Sequence, residues 1–294
     1  MTDISNTSGL HAERAPAKPR QRMSTKQRLL FFLTAWLIVL MPFLFWWNTW
    51  FGRQLSDKKL LEYLHDNKKP RHIQHALVQL GERMSKHDTA VVRWYPQVVQ
   101  LAAYPVEEVR NTDAWVMGQD TSGAGFHQAL LKMLSDASPV VRGNAALSLV
   151  RFGDASGRAQ IAALLASVTV TAPQAGKIVD TSSVGMAIHQ SGVVAKLNTG
   201  EVRSSIGGRV RDLSVKTGQT VAAGDRIAEV SPAAEQVWEA LRALYLIGHI
   251  EDLPAITPYE RELPDIPDHV REQAVLTEKA IRERAKTEGR EPND

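Results

Sequence analysis

From Leu29 to Phe51 the chain reads LLFFLTAWLIVLMPFLFWWNTWF, 23 residues without one charged side chain. At ~1.5 Å rise per residue such a run makes a helix of ~34 Å, enough to cross the hydrocarbon core of a bilayer. A helix that is apolar on every side has no face for water, so soluble folds rarely contain one. Trp46, Trp47 and Trp50 gather at the C-terminal end of the run, where indoles favour the membrane interface, and a spanning helix tolerates Pro42. The run is too long for a signal-peptide core, and no small-x-small cleavage site precedes Gly52. The sequence therefore predicts a single transmembrane signal-anchor over 29–51.

The flanks set the expected orientation. Arg14, Lys18, Arg20, Arg22, Lys26 and Arg28 precede the run, whereas Arg53, Lys58 and Lys59 follow it closely. Six against three predicts a cytoplasmic N-terminus, with the bulk of the chain on the outer side, the periplasm of a bacterial inner membrane. Residues 1–28 hold those six bases against Asp3 and Glu13. The basic balance of the chain is thus a property of this tail, which reads as disordered and cytoplasmic. The remainder is close to neutral and shows no nucleic-acid footprint. The chain has no cysteine, which excludes disulfides, thiolate metal sites and cysteine nucleophiles. That composition agrees with an oxidising compartment.

Beyond the anchor the expected fold class is α+β, an α-helical array with an all-β insert. In Ser138 to Ala166, Pro139 suits a first helical turn with Ser138 or Asp136 as cap. Val141, Ala145, Leu149 and Phe152 recur at three and four residues, predicting one buried stripe. Gly153 ends that helix, and the next buries Ile161, Leu164 and Leu165. The run from Val109 to Ala114 lies 32 residues before its counterpart from Val141 to Ala146. Ile73, Ala76, Leu77, Leu80 and Gly81 form an earlier copy; Ala240, Leu241, Ala243, Leu244, Ile247 and Gly248 a later one; Val270, Arg271 and Ala274 open a last helix. These residues resemble HEAT repeats, which implies a solenoid over 55–166 and 233–286 whose units bury surface against their neighbours. Residues 287–294 read as a charged tail.

Between the helical blocks, 168–231 carries β-branched alternation and many glycines. Val202, Ile206, Val210, Leu213, Val215, Val221, Ile227 and Val230 mark strands, and Gly207, Gly208, Gly218 and Gly224 mark turns. The runs Gly208-Arg209-Val210, Val215 to Val221 and Ala223-Gly224-Asp225 resemble the second half of a biotinyl/lipoyl-like barrel-sandwich hybrid. Thr171 to Val179 resembles the start of its first half. Two families use this hybrid. Periplasmic adaptor, or membrane fusion, proteins of secretion and efflux systems combine it with an N-terminal anchor, and Ser204 to Val210 fits their style. The chain departs from them in having no room for a coiled-coil hairpin between Val184 and Gly200. Carrier domains instead modify a hairpin lysine, for which Lys196 is the candidate, although the Glu and Met of that motif are missing.

No catalytic or metal constellation emerges. His65, His72 and His75 share a helix face among Lys68, Lys69 and Arg71, which reads as a solvated face. The glycines of 122–125 lack the Lys-Ser or Lys-Thr of a phosphate loop, and no nucleophile elbow is present. Glu107-Glu108 and the acids from Asp265 to Asp268 read as solvated charge. The expected function is a non-enzymatic, cofactor-free scaffold or adaptor within an envelope transport or secretion assembly. Its expected partners are the membrane, an ABC- or RND-type transporter subunit, or a second copy of itself. The alternatives are a carrier modified at Lys196 and a purely structural envelope protein. The contact candidates are Lys196, Gly200, Ser205, Gly208 and Arg209 on the β insert, with Arg110 and Arg142 on the repeats. For the two arginines the competing reading is a hydrogen bond that stabilises a neighbouring repeat.

Overall fold

A computed structural model describes residues 24–50, 54–262, 266–287 and 289. Most of the basic N-terminal tail, most of the charged C-terminal tail, Asp265 and the indole positions of Trp46, Trp47 and Trp50 lie outside the described residues. The chain divides into two compact units, with the boundary after Gln54.

In the first unit, α1 (Thr25–Trp50) is a 26-residue helix with Pro42 inside it. It starts ahead of the apolar run because Ser24 and Gln27 form a capping box. The Gln27 amide donates to Ser24 Oγ at 3.3 Å, and the Ser24 amide donates to Gln27 Oε1 at 3.0 Å. Lys26 and Arg28 are therefore helical. The stretch Thr25–Phe43 is long and apolar enough to cross a membrane, and none of it is buried within the protein.

The second unit is mixed and mostly helical. Its helices are α2 (Asp57–Leu64), α3 (Pro70–Ser85), α4 (Tyr95–Leu101), α5 (Glu107–Met117), α6 (Phe126–Met133), α7 (Pro139–Arg151) and α8 (Arg158–Ala163), followed after the β insert by α9 (Ala234–Ile247), α10 (Leu253–Ile256) and α11 (Asp268–Thr287). Helices α3, α5, α7, α9 and α11 pack side by side in chain order, while α2, α4, α6, α8 and α10 pack on them as a second layer. This is a helical-repeat solenoid.

The repeat pattern explains the packing. Ser138 Oγ caps α7 by accepting from the Val141 amide, and Val141, Ala145 and Leu149 are fully buried on one face. The two glycines that follow α5 and α7 serve different ends. Gly153 has φ +71°, a left-handed helix stop that favours glycine. Gly118 is right-handed, but a Cβ there would lie 2.5 Å from Ser148 Oγ, so it is needed for the close approach of α7. Ser148 uses that proximity to donate to the Ala114 carbonyl at 2.8 Å.

The β insert consists of β1 (Val168–Thr171), β2 (Gly176–Thr181), β3 (Ala187–Ile188), β4 (Val193–Leu197), β5 (Gly200–Arg203), β6 (Gly208–Leu213), β7 (Thr220–Val221) and β8 (Arg226–Pro232). They form two open antiparallel sheets of four strands, ordered β1-β8-β6-β3 and β5-β4-β2-β7. Shifting every strand by four places converts one order into the other, so the insert is two interleaved four-strand halves. Val170, Ile178, Val194, Val202, Val210, Ile227 and Val230, drawn from both halves, share one core. The insert starts and ends side by side, because Val168 pairs with Val230. Consequently α7 and α8 pack directly on α9 and the solenoid continues across the insertion.

One core residue breaks the pattern. Asp113 occupies, in α5, the slot that Ala145 fills 32 residues later, and it is fully buried. Neither carboxylate oxygen has a partner among the described residues, and burial pushes its pKa well above the ordinary carboxylate value. The folded state thus keeps the proton to higher pH than the unfolded chain does, a penalty absent below the unfolded pKa and growing as pH rises from there. Asp113→Ala should therefore stabilise the protein at pH 7 by about 1–3 kcal/mol, the cost of a buried unsatisfied polar group. Urea unfolding of the detergent-solubilised chain, followed by tryptophan fluorescence, should show that gain shrinking towards pH 4.

Candidate functional site: the groove of the inner helices

On α7 the face beside the buried stripe carries Asn144, Leu147 and Arg151, with the buried Ser148 at its edge, spaced at three, four and seven residues. The same logic brings Trp115 from α5, Glu239, Arg242, Tyr245 and Leu246 from α9, and Gln273 and Leu276 from α11 to one groove. Its volume is about 720 Å³. Trp115 is 38% exposed, Tyr245 43%, Leu276 53% and Leu246 62%, so four large apolar side chains from three helices are left to solvent in one place. Scattered surface leucines need no explanation, whereas a gathered set makes a candidate interaction surface.

The Trp115 indole lies against α3. A Cβ on Gly81 would sit 2.7 Å from Trp115 Cζ3, so that glycine leaves the ring its place. Arg151 turns to the C-terminal end of α5, donating to Gln119 Oε1 at 3.1 Å and to the Gly118 carbonyl at 3.4 Å. Such a placement suits the negative end of the helix dipole. Arg242 lies over the Trp238 ring at 4.6 Å and reaches Glu239 Oε1 at 3.5 Å. Asn144 donates to Asn111 Oδ1 at 2.7 Å, and Gln273 donates to Thr277 Oγ1 at 3.2 Å. The groove therefore combines apolar anchors, side-chain amides and charge of both signs. Among the described residues that line it, no nucleophile is hydrogen-bonded to a base.

The sequence-derived contact candidates lie elsewhere. Arg110 forks onto Asp136, with Nε–Oδ2 at 2.7 Å and Nη2–Oδ1 at 2.9 Å, and also donates to the Tyr104 carbonyl at 2.8 Å. Arg142 donates to the carbonyls of Asp136 and Ala137 at 2.7 and 2.9 Å. Arg110 thus ties the loop before α5 to the loop before α7, whereas Arg142 braces only the loop before its own helix. On the insert, Lys196 is exposed in β4 opposite Glu201, two residues before the turn at Asn198-Thr199. Gly200 begins β5, and a Cβ there would meet Gln174 Nε2 at 3.0 Å. Ser205 is exposed at the other end of β5. Gly208 is buried, and a Cβ there would run into the Ser231 carbonyl at 1.8 Å; it lets β6 lie against β8 and offers no contact surface. Arg209 is exposed on β6 and donates to the Gly185 carbonyl at 2.9 Å. The two insert clusters therefore sit at opposite ends of one strand. The Ser205 end is the one near the solenoid, since Gln190, beside Gly207, donates to Glu107 Oε1 at 2.8 Å.

The histidines are engaged locally. His72 Nδ1 lies 2.8 Å from Asp66 Oδ2 with its ring stacked on Tyr63, His65 Nδ1 lies 2.9 Å from the Leu61 carbonyl, and His75 meets Gln79.

Neither the family models nor the curated proteins contain a match to this sequence. Among solved structures the chain is similar to an engineered protein, at 17% identity and TM-score 0.39 over 77% of this chain and 80% of that one. It is also similar to a designed armadillo repeat protein in complex with the peptide (KR)4, at 15% identity and TM-score 0.38 over 76% and 80%.

The Arg110–Asp136 pair makes a prediction of the opposite sign to that for Asp113. The Arg110 guanidinium holds the Asp136 carboxyl below its ordinary pKa, so the pair stabilises the fold above that value and its contribution is lost as pH falls through the lowered one. Arg110→Ala should cost about 3 kcal/mol near neutrality, the order expected when one member of a largely buried pair is removed. Denaturant titrations at pH 7 and pH 3 should show the variant's deficit narrowing in acid.

Proposed function

We propose that this protein is a non-enzymatic, membrane-anchored scaffold that holds an extended segment of a partner protein in the groove of α5, α7, α9 and α11. The observation that carries this reading is the gathering of exposed Trp115, Tyr245, Leu246 and Leu276 in one groove. Four helices at ~10 Å spacing present ~30 Å of floor, which a strand of about nine residues at ~3.3 Å per residue would cover. Aromatic and leucine anchors take side chains, while the Asn144 and Gln273 amides can pair with a strand's backbone. The similar armadillo design also has a peptide in its complex.

The finer reading follows the resemblance to periplasmic adaptor proteins. On it, α1 is a signal-anchor with a cytoplasmic N-terminus, the second unit is periplasmic, and the partner belongs to a transport or secretion assembly, such as an ABC- or RND-type transporter. What supports it is the strand order of the insert, whose two interleaved halves suit a barrel-sandwich hybrid. The carrier alternative is disfavoured by Lys196, which lies on a strand flank rather than at the hairpin turn. The turn itself is tied to the β1–β2 loop, with Asn198 Oδ1 accepting from the Lys177 amide at 2.7 Å and Thr199 donating to the Ala175 carbonyl at 3.1 Å.

Affinity purification of the tagged chain from native membranes in mild detergent tests both levels. Wild type should recover a membrane transporter subunit, and Leu246→Glu with Leu276→Glu should reduce recovery at least tenfold, the equivalent of about 1.4 kcal/mol. Undiminished recovery by the double variant would move the contact out of the groove. Recovery of the chain alone would leave a purely structural envelope protein.

A further inference from the structure

The first helical pair has a charge unlike the rest of the second unit. Between 54 and 93 the chain carries eight Lys and Arg against five Asp and Glu, whereas from 94 onward there are 20 against 25. Part of the early positive charge is neutralised internally. Lys59 pairs with Glu62 at 2.9 Å, Arg83 with Asp57 and Asp88 at 3.1 and 2.8 Å, and Arg93 with Asp57. Lys58, Lys68, Lys69 and Arg71 are exposed and form no ion pair among the described residues.

These four bases fall on the outer end of the solenoid. Helix α2 packs on α3, and its residues Lys58 and Leu61, with His65 just beyond its end, stay exposed on its other side. Lys68, Lys69 and Arg71 follow in the α2–α3 turn and the first turn of α3. Within this basic face Leu61 is 46% exposed. A terminal repeat needs a polar outer face for solubility, but mixed charge would serve that end equally well.

Covalent connection supplies the direction. Helix α1 ends at Trp50 and α2 begins at Asp57. At no more than ~3.6 Å per residue, the intervening chain holds the start of α2 within about 25 Å of the end of the apolar helix. A basic face on so short a tether can reach the bilayer surface, where acidic headgroups attract Lys and Arg that come within a Debye length, ~10 Å. We propose that Lys58, Lys68, Lys69 and Arg71, with Leu61 among them, form a lipid-binding face that docks on acidic phospholipid headgroups of the membrane that α1 spans. This rests on reading α1 as a span. Docking would fix the outer end of the solenoid on the bilayer instead of leaving it free on its tether.

The absence of cysteine allows a single label to report the contact. Full-length Leu61→Cys, carrying an environment-sensitive fluorophore, is reconstituted in nanodiscs of phosphatidylcholine alone or with 30% phosphatidylglycerol, each doped with a headgroup-nitroxide lipid. Quenching should be at least threefold stronger in the acidic discs. That excess should vanish at 0.5 M NaCl, and in the Lys58→Glu, Lys68→Glu, Lys69→Glu, Arg71→Glu variant. A label at Val184→Cys on the β insert should show no such excess. Equal quenching in both lipids, or an excess that survives charge reversal, would overturn the proposal and leave the face to an acidic protein surface or to solvent. Failure of the chain to enter discs of either composition would overturn the span reading itself, and the proposal with it.

Discussion

The pairing of β1 with β8 is the constraint on which the second unit depends. The solenoid is interrupted after α8 and resumes with α9, so its continuity requires the chain to leave and return at one point. Val168 opposite Val230 provides that closure, and the residues that follow seal it. Gln236 donates to the Leu164 carbonyl at 2.9 Å, and Tyr259 donates to the Leu165 carbonyl at 2.6 Å. Both are carbonyls at the end of α8 with no further helical turn to receive them, and both are satisfied by residues beyond the insert. Burial pushes the Tyr259 hydroxyl up to about 12, which keeps it a donor throughout the physiological range.

Given that closure, the helical ladder is set by small residues and short polar contacts. Gly81, Gly118 and Gly143 stand where a Cβ would meet Trp115, Ser148 and Leu164 at 2.7, 2.5 and 2.6 Å. Such positions let neighbouring helices approach closely, and Asn111–Asn144 and Ser148–Ala114 add directional contacts between α5 and α7. Asp113 and Asp136 mark the extremes of what the array does with a carboxylate. Asp136 faces a fork of guanidinium nitrogens that lowers its pKa, while Asp113 sits in the slot that alanine fills in the next copy and has its pKa raised by burial.

Much of this was legible in the sequence. The Val141, Ala145 and Leu149 stripe, its earlier copies and the valine–glycine spacing of the insert each follow a period of 3.6 or 2, and local periodicity survives into the fold. The start of α1 was not, because Lys26 and Arg28 lie ahead of the apolar run while the Ser24–Gln27 capping box extends the helix through them. Choosing contact residues from family-like motifs had a systematic consequence. Of those residues, Arg110 and Arg142 are hydrogen-bonded to the loops before α5 and α7, and Gly208 is buried against β8.

The groove was illegible for a different reason. Its walls come from segments separated by the whole insert, with Trp115, Asn144, Leu147 and Arg151 before it and Glu239, Arg242, Tyr245, Leu246, Gln273 and Leu276 after it. No local window contains both, and each apolar residue taken singly is an ordinary surface residue. The only trace in the sequence is an excess: the apolar run from Ala243 to Ile247 is broader than the one face that α9 buries. Only the contact of α7 with α9 makes these residues neighbours, and that contact exists because β1 and β8 close the insert. The groove and the β insert are therefore one construction, in which the sheet that interrupts the solenoid also determines which helices meet across the interruption.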